Sequence, residues 1–139
     1  MRNDYAFIDT NIFLRYLVFD ETNNSLSIRA KEIIESIADK IILGFTNILV
    51  ISEIAYVLEK YYELDKKDVA NKIKTLVSCE NLVIDQKESI LASLYIYDDK
   101  NVDFEDAYSY IQMLEKGIHN IYTFDLKHFK RFENIKILE

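Results

Sequence analysis

The chain has no proline, one cysteine and only two glycines, Gly44 and Gly117, in 139 residues. A phosphate-cradling Walker loop or a dinucleotide fingerprint needs two or three glycines within about eight residues. With these two so far apart, both nucleotide-binding classes are excluded. A lone Cys79 rules out an internal disulfide and any cysteine-rich zinc site, and it fits a reducing compartment. No apolar run approaches the roughly 20 residues that a membrane helix needs. Met1-Arg2-Asn3-Asp4 runs straight into an apolar segment, so the expectation is a cytoplasmic chain without a secretory leader.

What is present is globular. Half of the residues are apolar and 29% are charged, so residues 1–139 are expected to form one domain with a core that needs no staples. The net charge of −7 argues against a nucleic-acid partner, because phosphate binding normally leaves a basic footprint. That objection weakens if the acidity is concentrated at a metal site, where a bound cation inverts the local field.

The segment Tyr5-Ala6-Phe7-Ile8 reads as a first, central strand buried on both faces, ending abruptly in Asp9-Thr10-Asn11. A helix with Ile12, Phe13, Tyr16 and Leu17 on one face follows, then a polar loop over Asp20–Asn24. Leu26 to Ile37 gives a second helix, and Ile41-Ile42-Leu43 a strand closed by Gly44. Thr46 or Asn47 caps a helix running to about Tyr62. A further helix carries Val69, Ile73 and Leu76, and Leu82-Val83-Ile84 is a third strand. Helices around Ile90–Tyr97 and Phe104–Leu114 follow, the second ended by Gly117. Ile121–Phe124 and Ile135–Leu138 are the last strands, separated by a short helix over Leu126–Arg131. Short apolar strands alternating with helices predict a three-layer α/β domain with a mainly parallel sheet.

Five carboxylates at four places along the chain stand out from the 24. Asp9 and Asp125 each follow an apolar strand, and ligands of open α/β sheets bind beyond the carboxyl ends of strands. Glu53 lies among Leu49, Val50, Tyr56 and Val57, where an ionised carboxylate needs a cation or donors. Asp103 and Asp106 share a face at the start of one helix. Each has a plain alternative: Asp9 and Asp103 can cap helices, Asp106 can complement a helix dipole, and Glu53 can pair with a lysine. Together, carboxylates converging without histidine or thiolate make a hard-oxygen site for Mg²⁺ or Mn²⁺. Such a site activates water and neutralises charge developing on a phosphodiester.

The quoted segments resemble the PIN-domain ribonucleases, most closely the VapC-type toxins of prokaryotic toxin–antitoxin pairs. The matching residues are Phe7-Ile8-Asp9-Thr10-Asn11, Ser52-Glu53-Ile54, Phe104-Glu105-Asp106-Ala107 and Thr123-Phe124-Asp125, in order along essentially the whole chain. The resemblance implies a five-stranded parallel sheet between helices and a metal-dependent endoribonuclease leaving 5′-phosphate and 3′-hydroxyl ends. It assigns the metal-binding carboxylates to Asp9, Glu53 and Asp106, completed by Asp125, with Asp103 able to supplement or replace Asp106. Asn11 and Thr123 would orient the cluster. It also implies a small antitoxin and a homodimer, and the helix around Ile51, Tyr56, Val57 and Tyr61 offers part of such a surface.

Lys127, His128, Lys130 and Arg131 follow Asp125 and are candidates for holding RNA phosphates, or are simply a solvated helix face. Ten tyrosines and eight phenylalanines include candidates for base stacking, although core or dimer contacts explain aromatics more often. His119 and His128 raise a metal-free acid–base route through the RNA 2′-hydroxyl, weakened by their expected placement at opposite edges of the sheet. A phosphohydrolase of the Asp-x-Asp kind would need an acid where Asn11 stands. The rival from another class is a PIN-like scaffold that binds RNA or protein without cleaving it.

Overall fold

Strand β1 (Tyr5–Phe7) pairs in parallel with β2 (Leu43–Thr46), and β2 pairs in parallel with β3 (Leu82–Ile84). This computed structural model describes residues 5–18, 22 and 24–138. Parallel neighbours need crossovers, and helices supply them. α1 (Thr10–Leu17) and α2 (Asn24–Ala38) join β1 to β2. α3 (Ile48–Tyr56), a π-helical turn over Val57–Tyr61 and α4 (Lys66–Val77) join β2 to β3. α5 (Lys87–Asp99) and α6 (Phe104–Glu115) follow, and then β4 (Asn120–Tyr122), α7 (Leu126–Phe129) and β5 (Lys136–Leu138). The segments expected at Met1–Asp4 and in most of the Asp20–Asn24 loop lie outside the described residues.

The expected five-stranded sheet is corrected. Among the described residues the main sheet has three strands in the order β1-β2-β3, and β4 pairs only with β5 in a separate two-stranded sheet. β1 is therefore an edge strand rather than a central one, and its Tyr5 and Phe7 are exposed, Phe7 by 53%. An all-apolar run does not report which of its faces meets solvent. Two strand boundaries also move. β2 leaves out Ile41 and Ile42, begins at Leu43 and passes through Gly44, which pairs with Ala6 on one side and Leu82 on the other. β4 ends at Tyr122, so Asp125 lies in the loop beyond it.

Local chemistry sets the helix ends. The Asn47 side chain accepts from the Val50 N–H and caps α3. Gly117 takes φ +68° after α6, with its N–H on the Leu114 carbonyl and the Ile118 N–H on that of Met113. The core is continuous: Phe13, Ile51, Ile54, Leu58, Val69 and Ile73 are fully buried together. Thr46, also fully buried, donates its hydroxyl to the Ile8 carbonyl 3.0 Å away and ties the end of β2 to the residue before Asp9.

Gly44 is needed for packing space, not for ending a strand. A Cβ there would stand 3.0 Å from Ile37 Cδ1 and 3.2 Å from Leu82 Cδ1. Gly44→Val should lower stability by about 1–3 kcal/mol through overpacking. An unchanged urea midpoint and slope would refute that packing.

Candidate functional site

The start of α6 and the loop after β4 meet at one side chain. His128, on α7, places Nδ1 2.8 Å from Asp106 Oδ2, 3.4 Å from Asp125 Oδ2 and 3.9 Å from Asp103 Oδ2. With Asp106 ionised the carboxylate can only accept, so Nδ1 carries the hydrogen. One atom each from Asp103, Asp106 and His128 lies within 4.8 Å of the others, close enough to share a cation once Nδ1 has given up its hydrogen.

The backbone explains why these groups converge. Asp125 accepts the His128 N–H at 3.2 Å, capping α7 and holding its own carboxylate beside the imidazole. Its own N–H donates to Thr123 Oγ1 at 2.9 Å, a local bond that shapes the turn leading into α7. Asp103 stands at the N-cap position of α6 yet makes no capping hydrogen bond with its side chain. Its carboxylate faces His128 instead, and on the other side lies 3.8 Å from Lys60 Nζ. A cap that forgoes its helix to face other charges is unlike the ordinary case.

Burial raises the Asp106 carboxyl above its usual range, the hydrogen bond from His128 opposes this, and the negative charges of Asp125 and Asp103 add to the rise.

Asp9 and Glu53 are placed differently. Asp9 is the exposed N-cap of α1, with Oδ1 accepting the Thr10 N–H at 2.8 Å, and Asn11 is exposed in the first turn of that helix. Glu53 does not sit on a buried apolar face. It is exposed on α3 between Leu49 and Tyr56, which are themselves 75% and 66% exposed. Its carboxylate therefore carries no burial cost that a cation must offset. Among the described residues neither Asp9 nor Glu53 belongs to the close-set group around His128.

Alongside this group runs a network that the sequence reading missed. Glu59, in the π turn, accepts from Lys66 Nζ at 2.8 Å and from the Tyr97 hydroxyl at 2.7 Å, and pairs with Lys60 at 3.0 Å. Lys66 also donates to the Val102 carbonyl and lies over the Tyr97 ring. Burial alone would raise Glu59, but the hydrogen bonds from Lys66, Tyr97 and Lys60 outweigh it and lower the carboxyl to about 2. Burial and the Glu59 charge push the Tyr97 phenol up. π turns recur at functional sites, and this one delivers Lys60 to Asp103. No periodicity announces a π turn. The signal that could have tied His128 to the acids is its spacing of three from Asp125, which puts both on one helical face.

The PIN domain family matches residues 6–135, from β1 to the threshold of β5. The chain belongs to the PIN domain family. Among curated proteins, none matches it. PIN domains are nucleases that act on RNA, usually with a divalent metal. In this PIN domain no helix among the described residues is long and apolar enough to cross a membrane.

Two pH responses of opposite sign follow. Glu59, depressed when folded, contributes stability above its unfolded value of 4.5 that is lost as pH falls towards about 2. Glu59→Gln should therefore be less stable at neutral pH and should lose the acid-dependent decline in that window. Asp106, raised when folded, opposes folding when ionised and ceases to do so once protonated. Asp106→Asn should match or exceed the stability of metal-free wild type at pH 7, an advantage that shrinks on acidification. Thermal melts across pH check both, and parallel curves for wild type and either variant would contradict the assignment.

Proposed function

We propose that this PIN domain is a metal-dependent endoribonuclease, the toxin of a VapC-type toxin–antitoxin pair, acting in the cytoplasm as a single nuclease unit over residues 1–139. The observation that carries the nuclease reading is the convergence of Asp103, Asp106 and Asp125 on His128, a crowding of negative charge that a bound cation would relieve further.

Asp9, Glu53, Asp106 and Asp125 are the proposed metal-binding and catalytic carboxylates, with Asp103 as a supplementary ligand. The donor chemistry fits Mg²⁺ or Mn²⁺. When bound, such an ion supplies a more acidic water and positive charge for the reacting phosphate. The protein's own groups do the positioning. Thr10 N–H fixes Asp9, the α7 turn fixes Asp125, and His128 holds Asp106 through one hydrogen bond. Asn11 and Thr123 support the acids beside them. In the hydrolysis, water adds to phosphorus and the bond to the 3′ oxygen breaks, leaving a 5′-phosphate and a 3′-hydroxyl.

Lys127 and Lys130, both exposed on or beside α7, are the proposed phosphate contacts. Arg131 is engaged otherwise, donating to the backbone carbonyls of Lys100 and Asn101. The rival histidine route finds no support in the geometry: His119 Nδ1 lies on the Asn134 carbonyl at the entry of β4, and His128 is enclosed by carboxylates beyond its exit. For an antitoxin or a second copy, α3 and the π turn present Leu49, Tyr56 and Tyr61 to solvent, whereas Ile51 belongs to the core.

Purified protein should cleave RNA with Mg²⁺ or Mn²⁺ and not with EDTA. Asp9→Asn keeps a helix cap, since Asn caps about as well as Asp. It should nevertheless abolish cleavage, leave metal-free stability unchanged or higher, and shrink the melting-temperature gain from metal. Cleavage that persists in EDTA with 2′,3′-cyclic ends, or full activity in Asp9→Asn, would overturn the reading.

A further inference from the structure

Next to the acidic group stands a feature that the nuclease reading does not use. Phe124, the residue before Asp125, has a relative exposure of 106%, and Tyr122, two residues earlier, is 76% exposed. They line an open hollow with Leu126, Lys130, Ile137 and Leu138, built on the small β4–β5 sheet. An aromatic ring held fully in water at the rim of a cleft has done nothing for the core.

The charge around the hollow says what fits it. The chain as a whole carries −7, yet residues 119–139 hold four cations, Lys127, Lys130, Arg131 and Lys136, against three carboxylates, Asp125, Glu133 and Glu139. Lys130 lines the hollow itself. Lysine is depleted at the centres of protein–protein interfaces, whereas lysine beside exposed aromatic rings is the arrangement of a single-strand nucleic-acid platform. Bases inside a duplex are already stacked on one another and offer no free face.

We propose that Phe124, supported by Tyr122, stacks an unpaired base of the RNA next to the scissile phosphate, with Lys130 and Lys127 against the flanking phosphates. This rests on the ribonuclease reading above and deepens it. Phe124 becomes a specificity-determining residue that reads the unpaired base beside the cut. Covalent continuity fixes the spacing, because one peptide bond separates the stacking residue from Asp125.

The test uses a short single-stranded RNA bearing one 2-aminopurine, whose fluorescence is quenched on stacking, titrated in EDTA so that turnover does not compete. Wild type should quench the probe and bind it more tightly than the same sequence in a duplex. Phe124→Ala should lose the quenching and weaken binding by roughly 5- to 150-fold, the range for one base–aromatic stack. Phe124→Trp should restore both, and Lys130→Ala should weaken binding while leaving the quenching of bound probe intact. Wild-type binding and quenching in Phe124→Ala would overturn the proposal. So would light scattering in which Phe124→Ala splits a dimer while RNA binding is unchanged, which would give the hollow to a second copy. The two readings fail separately. Phe124-dependent quenching without metal-stimulated cleavage removes the nuclease and keeps the platform, whereas cleavage with a KM indifferent to Phe124→Ala does the reverse.

Discussion

The hydrogen bond between His128 Nδ1 and Asp106, 2.8 Å long, is the contact on which the site depends. Three carboxylates brought to one end of a sheet repel each other, and burial of Asp106 sharpens the conflict. An imidazole that faces all three lets the metal-free chain fold with the acids already in place. It also links elements far apart in sequence, since Asp106 opens α6 while Asp125 and His128 belong to α7. The preformed site therefore depends on a short helix of four residues whose own cap is one of the acids.

A second constraint stands behind the first. The π turn cannot relax into a regular helix without moving Glu59 away from Lys66 and Tyr97, and those contacts bind the turn to α4 and α5. Lys60 is thereby carried to Asp103. Lys60, exposed but paired with the half-buried Glu59, is a source of positive charge beside the acidic group, where a polyanion would approach. The aromatic hollow begins one residue before Asp125, at Phe124.

Much of this was legible in the residues. The alternation of short apolar strands with helices gave the α/β class, and Asp106 and Asp125 could be paired from their places at a helix start and after a strand. Glu53 was legible as a residue but not in its environment. Leu49 and Tyr56 mark an apolar helix face, and only the fold shows that this face meets solvent. The sheet was over-read for the same reason, because the apolar run at Tyr5–Ile8 looks alike in a central strand and in an exposed edge. His128 was weighed for phosphates and for acid–base chemistry, but not as the partner of the acids. Hydrophobic periodicity is blind to a polar contact spanning 22 residues.

Diffraction from crystals soaked in Mn²⁺, recorded at wavelengths where manganese scatters anomalously, tests the central claim most directly. The account predicts strong anomalous density in contact with Asp106 and with the other proposed ligands, Asp125, Asp9 and Glu53. A saturating soak that leaves the His128–Asp106 hydrogen bond intact with no peak among these carboxylates would contradict it.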